Sequence, residues 1–125
     1  MSKILVIDDE RSIRNTLREI LEYEKFEVDD ASDGIEGMNL ISAGKYDVIL
    51  CDIKMPKKDG FEFLQEIRSS RKWVPIIIVS AMSEHASMMK GYHFDADWYI
   101  TKPINLEDTL KALKIMLSLA PLRKK

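Results

Sequence analysis

Acidic residues stand directly after two apolar runs, where they could bind a cation or carry a phosphoryl group. Asp8 and Asp9 follow the run 4–7, and Asp52 follows the run 48–51. If both runs are neighbouring strands of one parallel sheet, their carboxyl ends meet at the same edge, about 4.8 Å apart. The three carboxylates then share one crevice, where their mutual repulsion favours a proton or a cation between them.

Two more polar side chains are predicted to reach this crevice. Ser80 follows a predicted strand over residues 74–79. Lys102 comes two residues after another predicted strand, over 98–100, and Thr101 lies between that strand and Lys102. Carboxylate oxygens suit Mg²⁺, which keeps coordination positions for water and a phosphate. Once a cation neutralises the cluster, one carboxylate can attack a phosphoryl group in line. The Lys102 ammonium and the Ser80 hydroxyl can then stabilise the developing charge, so these residues predict an aspartyl-phosphate site.

The elements that must position these residues alternate between strands and helices. Apolar runs predict five strands, over residues 3–7, 26–31, 48–51, 74–79 and 98–100. A helix is predicted after each strand. The first has the apolar stripe Ile13, Leu17, Ile20 and Leu21, the second begins at Asp33 and ends at Gly44, and the third has Phe61, Leu64 and Ile67 on one side. The fourth covers residues 83–92, and the last begins at the N-cap Asn105, ends at Pro121 and has the stripe Leu106, Leu110, Leu113 and Leu117. Strand–helix units in series predict a parallel sheet with right-handed crossovers and helices on both faces.

The predicted fold class is therefore α/β, a doubly wound, five-stranded parallel sheet in a three-layer sandwich. The flavodoxin-like strand order 2-1-3-4-5 is common for a sheet of this size. The second strand carries Glu27, Asp29 and Asp30, which suits the edge position that this order gives it. Ligands of such sheets bind at the switch point between strands 1 and 3, where Asp8 and Asp52 are predicted to lie.

Composition narrows the class of protein further. The chain has 125 residues, 19 Lys+Arg against 21 Asp+Glu and a net charge of −2, which fits one domain and gives no basic field for nucleic acid or an anionic membrane. Apolar runs of four residues are too short for a membrane span or a secretory signal. Cys51 is the single cysteine, so we expect no internal disulfide and a cytoplasmic location. The predicted domain covers residues 1–120, and 121–125 form a basic tail or the start of a linker.

At this point the chain resembles a response regulator receiver domain over essentially its whole length. The residues that carry the resemblance are Asp8-Asp9, the segment L-C-D-I-K-M-P-K-K-D-G around Asp52, Ser80-Ala81, and Y-I-T-K-P at residues 99–103. The resemblance implies a two-component phosphorelay switch with Mg²⁺-dependent self-phosphorylation and self-dephosphorylation. Such a domain assists its own phosphoryl transfer and hydrolysis and is not an enzyme that turns over a substrate.

The resemblance also implies a role for each site residue. Asp52 is the expected phosphoacceptor, and Lys102 is expected to contact the phosphoryl group. The expected ligands of Mg²⁺, or of Mn²⁺ in its place, are Asp8, Asp9, Asp52 and the backbone carbonyl of Lys54. The peptide bond between Lys102 and Pro103 is expected to be cis, an isomer that is cheap only before proline.

Phosphorylation is expected to act through Ser80 and Tyr99. The phosphoryl group would draw the Ser80 hydroxyl inward, and Tyr99 would turn inward after it. This movement would reshape the face made by the predicted helix 83–92, the fifth strand and the last helix, where an output domain or protein binds. Trp98 departs from the usual family pattern beside Tyr99, which indicates an unusual partner.

Lys54 and Met82 are the residues expected to set the lifetime of the phosphorylated state. In receivers these two positions flank the approach of the water that hydrolyses the aspartyl phosphate. Met82 has only a weak thioether acceptor and orients water poorly, so we expect a long-lived phosphoryl group. The phosphodonor partner is expected to be a sensor histidine kinase or histidine phosphotransferase. The chain is expected to be a monomer or a phosphorylation-dependent dimer, and its expected output is transcription regulation.

Two other functions suit the same fold. A Mg²⁺-dependent phosphohydrolase acting through an aspartyl phosphate is the main alternative, although its usual D-x-D-x-T motif does not match the sequence after Asp52. A flavodoxin-like electron carrier needs a phosphate-binding loop rich in Ser, Thr and Gly after strand 1, and Asp8-Asp9-Glu10 would repel the cofactor phosphate there.

Overall fold

The computed structural model describes residues 2–52, 60–69, 74–81 and 98–123. Their strands are β1 (Lys3–Ile7), β2 (Glu27–Ala31), β3 (Val48–Asp52), β4 (Ile76–Ala81) and β5 (Trp98–Lys102), and their helices are α1 (Arg11–Tyr23), α2 (Gly34–Ala43), α3 (Gly60–Ser69) and α4 (Leu106–Arg123). The helix predicted over 83–92 lies outside the described residues. No helix in the described ranges is both long and apolar enough to cross a membrane.

All five strands are parallel and form one sheet in the order β2-β1-β3-β4-β5. The predicted fold class and strand order are confirmed, and the acid-bearing strand β2 lies at the edge. In β1, Ile7 is level with Ala31 of β2 and with Cys51 of β3. Asp8 and Asp52, which follow Ile7 and Cys51, therefore lie side by side at the carboxyl edge of the sheet.

Two apolar clusters, one on each face of the sheet, hold the helices. Leu5 and Ile7 of β1 belong to one cluster, which includes Ile41 of α2 and Phe63 and Ile67 of α3. The alternate residues of β1 belong to the other cluster, whose helical members include Leu17, Leu21, Leu113 and Met116 of α1 and α4. The strands are thus covered on both faces, as their uninterrupted apolar runs predict.

Three strands extend further than the sequence predicts. β4 begins at Ile76 instead of residue 74, because Pro75 has no N–H to donate to the sheet, and it continues through Ser80 to Ala81. β3 ends at Asp52, and β5 ends at Lys102. Backbone hydrogen bonding does not depend on side-chain polarity, so pairing continues past the last apolar residue. Asp52 and Lys102 are therefore the last residues of their strands, Ser80 is the last but one of β4, and none of the three is a loop residue.

The ends of two helices test the predicted caps. The Asp33 carboxylate accepts a hydrogen bond of 2.8 Å from the N–H of Glu36, and the Asn105 side chain accepts one of 3.0 Å from the N–H of Asp108. Both N-caps are confirmed. The predicted end of α4 at Pro121 is wrong, since the helix reaches Arg123. A proline in the last turn removes only its own N–H from the helix, and helix ends vary by a residue or two.

The buried face of α4 overlaps the predicted leucine stripe and departs from it at one residue. Leu106 is 45% exposed, whereas the most buried side chains are Thr109, Ala112, Leu113 and Met116. These four have the spacing i, i+3, i+4 and i+7, which marks one helical face. Within the predicted stripe, Leu113 belongs to this face and Leu110 and Leu117 are half-buried against the same apolar cluster, so the prediction is wrong at Leu106.

Candidate functional site

Three acidic side chains meet at the carboxyl edge of the sheet. Asp8 follows β1 and Asp52 ends β3, the strand that pairs with β1, while Asp9 is next to Asp8 in the chain. One carboxylate oxygen from each residue lies within 4.8 Å of the others. Asp8 is 3% and Asp52 5% exposed, whereas Asp9 is exposed. The three acids share one crevice, as the sequence predicts.

Lys102 brings a positive charge into this crevice. Its Nζ donates a hydrogen bond of 3.2 Å to Asp52 Oδ2 and lies 3.4 Å from Asp8 Oδ2. β4 separates β5 from β3, so the lysine side chain passes over the end of β4, where Ser80 lies, to reach both carboxylates. One ammonium thus bridges two buried acids that come from different strands.

Burial and the opposite charges in the crevice shift the pKa of Asp8 and of Lys102. Burial raises the pKa of Asp8 above its usual 3.8, because the hydrogen bond from the Glu10 N–H and the attraction of Lys102 offset only part of the desolvation. Burial lowers the pKa of Lys102, but the attraction of Asp52 and Asp8 is the stronger influence in sum, and the net shift is upward. Lys102 therefore stays charged, while the ionised form of Asp8 is disfavoured.

The donor set of this crevice fits a hard divalent cation. With all groups ionised, the three carboxylates outnumber the Lys102 ammonium by two charges. Every group in the acidic cluster offers oxygen, the ligand atom that Mg²⁺ prefers, and the three ligand atoms are already close together. Asp8, Asp9 and Asp52 are therefore the described residues suited to hold such an ion.

Contacts that no sequence pattern indicated hold Asp8 in place. Its N–H donates to the carbonyl of Ala31 over 3.1 Å, and its Oδ1 accepts from the N–H of Glu10 over 2.9 Å. Its own carbonyl accepts a hydrogen bond of 2.8 Å from Arg14 Nη1. No sequence signal marks Arg14, because an arginine on α1 has the ordinary pattern of a solvated helix face.

The remaining predicted site residues fall into three groups. The Lys102–Pro103 peptide bond is cis, the isomer that the family resemblance implies. Tyr99, in β5, is half-buried and packs against the apolar cluster on the α2–α3 face of the sheet. Lys54 and Met82 lie outside the described residues, so their roles stay predictions.

Two surface grooves lie near the acidic crevice. The first has a volume of about 310 Å³, adjoins Lys102, and is lined mainly by Ile13, Leu17, Ile20, Pro103, Ile104 and Leu106. The second has a volume of about 390 Å³ and runs along β5 and α4, lined by residues that include Trp98, Tyr99, Asn105, Asp108 and Lys111. The first groove is apolar, whereas the second mixes aromatic, polar and charged side chains.

The fold and the crevice together define a flavodoxin-like α/β domain with an acidic, cation-compatible site at its switch point. Residues 4–114 match the family model described as the response regulator receiver domain. The chain therefore belongs to the receiver domains of two-component response regulators, a family that binds Mg²⁺ through an acidic cluster of this kind.

Relatives and solved structures agree with this assignment. The response regulator MprA of Mycobacterium sp. (strain KMS) is 34% identical over 115 residues, which cover 92% of this chain and 50% of that protein. The receiver domain protein of Clostridium thermocellum has a TM-score of 0.91 at 30% identity over 98% of both chains. The chemotaxis protein CheY4 of Vibrio cholerae has a TM-score of 0.87 at 33% identity, over 94% of this chain and 99% of its own. The chain spans about half the length of the curated relatives it matches.

Proposed function

We propose that this chain is a phosphorylation switch in which Asp52 accepts a phosphoryl group from the phosphohistidine of a sensor histidine kinase or histidine phosphotransferase. The observation that carries the proposal is the position of Asp52. It ends β3 at the switch point, inside an acidic cluster, with the Lys102 ammonium 3.2 Å from its carboxylate. Membership of the receiver family supports the same assignment.

The chemistry follows from these groups. A carboxylate oxygen of Asp52 forms a bond to phosphorus while the bond from phosphorus to the donor imidazole nitrogen breaks, and its electron pair stays on that nitrogen. The product is an acyl phosphate, and the negative charge that moves into the crevice needs a compensating positive charge. Lys102 supplies part of it, because its raised pKa keeps the ammonium protonated.

Asp8, Asp9 and Asp52 would hold Mg²⁺ or Mn²⁺, with the backbone carbonyl of Lys54 as the further predicted ligand. When bound, the cation neutralises the acidic cluster and stabilises charge on the phosphoryl oxygens. The carboxylates of Asp8 and Asp9 would hold it beside the Asp52 carboxylate that receives the phosphoryl group. The domain promotes its own phosphorylation and dephosphorylation in this scheme and does not turn over an external substrate.

The apolar groove beside Lys102 suits the phosphodonor partner. Ile13 and Ile20 of α1 and Pro103 after β5 line it, and it opens next to the carboxyl edge of the sheet. A helix of the partner that packs its apolar side there would bring its phosphohistidine to the crevice. Continuity with Lys102 favours this groove over the more polar groove along β5 and α4.

The output is proposed to depend on Ser80 and Tyr99. Ser80 lies in the strand between those that carry Asp52 and Lys102, so its backbone borders the crevice. Movement of its hydroxyl toward the phosphoryl group would favour a second arrangement of Tyr99, and the size of this population shift is limited by how much better the phosphoryl group binds one state than the other. Trp98, which is 40% exposed beside Tyr99, would then contact the output partner. We propose that this switch operates in the cytoplasm.

The first test compares phosphorylation of wild type and Asp52→Asn by a small phosphoramidate donor with Mg²⁺, followed by intact mass. Wild type should gain a single phosphoryl group and Asp52→Asn none, because an amide has the shape of the carboxylate but is a poor nucleophile. Asp108→Asn, which changes an exposed acid of α4, is the matched control and should be labelled like wild type. Full labelling of a folded Asp52→Asn variant would contradict the proposal, and sustained hydrolysis of nitrophenyl phosphate by wild type would favour a phosphohydrolase.

A further inference from the structure

The peptide unit between Asp8 and Asp9 is fixed by a side chain of α1. The carbonyl of Asp8 belongs to the peptide bond that joins the two acids, and Arg14 Nη1 donates a hydrogen bond of 2.8 Å to it. The orientation of this peptide determines the direction in which both carboxylates leave the backbone. A contact to this carbonyl therefore bears on two members of the acidic cluster at once.

Arg14 is itself held by β2. Its Nε lies 3.6 Å from Asp30 Oδ1, and its side chain is 15% exposed. The other oxygen of Asp30 accepts a hydrogen bond of 2.6 Å from Arg18, which also donates one of 2.6 Å to the carbonyl of Val28. Because Arg14 and Arg18 are four residues apart, they lie on one face of α1 and share this carboxylate.

The start of α1 is fixed by the packing of Ile13 and by the backbone hydrogen bond from the Arg14 N–H to the Glu10 carbonyl, without a side-chain cap among the described residues. Glu10, the residue before the helix, makes no side-chain capping hydrogen bond within the described residues. Its N–H is instead bound to Asp8 Oδ1. Among the hydrogen bonds of Asp8 in the described part of the chain, that from Arg14 is the one that a side chain of α1 donates, so Arg14 ties Asp8 directly to the helix.

We propose that Arg14, oriented by Asp30, is a positioning residue for the cation site, an inference that rests on the proposed function. It touches neither the phosphoryl group nor the cation, and it acts by holding the peptide between Asp8 and Asp9. Whether removal of Arg14 weakens or strengthens cation binding distinguishes a positioning role from an electrostatic one. Removal of a positive charge beside an acidic cluster should by itself strengthen cation binding, whereas loss of positioning should weaken it.

The experiment measures Mg²⁺ affinity by isothermal titration calorimetry at constant ionic strength. Arg14→Gln should weaken binding about tenfold, as expected for loss of a group that orients metal ligands. Arg14→Lys should also weaken it, because an ammonium keeps the charge but lacks the planar fork that reaches Asp8 and Asp30 together. Asp30→Asn should lose affinity in the same direction and to a smaller extent.

Arg18→Gln is the matched control. It removes the same charge from the same helix face and the same partner, Asp30, but Arg18 makes no contact with Asp8 in the described residues. Its Mg²⁺ affinity should equal that of wild type, even where its melting temperature without Mg²⁺ falls as far as that of Arg14→Gln. If Arg14→Gln does not fold, Arg14→Lys and Asp30→Asn carry the test.

Three outcomes would overturn the inference. Mg²⁺ affinity of Arg14→Gln and Arg14→Lys equal to or above that of wild type would show that Arg14 does not position the ligands. Equal weakening in Arg18→Gln would show a general effect of α1 stability. Failure of wild type itself to bind Mg²⁺ would refute the proposed function, and the inference with it, so this failure is distinguishable from the other two.

Discussion

Two charged clusters of this domain differ in how their charges balance. The first, here called the β2-edge cluster, consists of Asp29, Asp30, Lys3, Arg14 and Arg18. Each of its acids has at least one basic partner: Asp30 pairs with both arginines, and Asp29 lies 3.5 Å from Lys3. These pairs join α1 and β1 to the edge strand, and they need no further ion.

The second, here called the carboxyl-edge cluster, consists of Asp8, Asp9, Asp52 and Lys102, and its acids outnumber its base by two. Two of these acids are nearly inaccessible to water, which would otherwise screen their repulsion. The difference shows how a structural ion-pair network can be told from a site. At the β2 edge each acid has a basic partner and these pairs stabilise the fold, whereas at the carboxyl edge the acids outnumber the base and the cluster suits a cation.

The largest expected effect comes from removing one lysine from each cluster. Lys102→Met leaves Asp8 and Asp52 buried without their ammonium and should cost about 2 kcal/mol, less than for a fully buried pair because the Lys102 side chain is 18% exposed. Lys3→Met makes the same chemical change at the β2 edge, where both partners are about a third exposed, and should cost less than about 1 kcal/mol.

Urea unfolding without Mg²⁺ at neutral pH measures both costs. The Lys102→Met variant should regain part of its stability when Mg²⁺ is added, because the bound Mg²⁺ replaces the positive charge that the lysine supplied. Equal losses in the two variants would mean that the carboxyl-edge cluster is no more dependent on its base than the surface pairs are.

A smaller effect of opposite sign is expected when an acid of the carboxyl-edge cluster is neutralised. Burial raises the pKa of Asp8 in the folded state above 3.8, so the ionised side chain costs stability at neutral pH. Asp8→Asn keeps an oxygen to accept from the Glu10 N–H and removes the charge. Without a divalent cation it should therefore melt at a higher temperature than wild type.

The pH dependence checks the cause. As the pH falls through the folded-state pKa of Asp8 toward 3.8, the wild-type side chain binds a proton and the advantage of Asp8→Asn should shrink. Melting curves in a chelator across the acid range measure this difference. A variant less stable than wild type at neutral pH, or a gap that does not change with pH, would argue against an excess of negative charge.

Much of the carboxyl-edge cluster could be predicted from the sequence because topology alone brings it together. The apolar run of β1 is found over Lys3–Ile7, as predicted, and a parallel sheet of order 2-1-3-4-5 leaves Asp8 and Asp52 on neighbouring strands. Neither conclusion requires knowledge of a side-chain conformation. The placement of Lys102 at the same edge follows for the same reason, since it ends β5, whereas its contacts with both carboxylates depend on its side-chain conformation.

The β2-edge cluster could not be predicted in this way. Arg14 and Arg18 are two of many charged residues on helices, and their contacts depend on side-chain rotamers and on how α1 packs against β2. Strand ends were also missed, because hydrogen bonding continues into polar residues such as Ser80. Lys54 and Met82, the expected determinants of phosphoryl lifetime, lie outside the described residues and stay predictions.

We propose that the excess charge at the carboxyl edge serves phosphorylation of Asp52. Chemical mapping of the phosphorylated residue tests this most directly. Wild type phosphorylated with Mg²⁺ is treated with borohydride, which reduces an acyl phosphate to an alcohol and leaves free carboxylates unchanged. Peptide mass mapping should then find homoserine at position 52, and only in protein that received both donor and Mg²⁺. Reduction at Asp8 or Asp9, or an acid-stable phosphate on Ser80, would contradict the account.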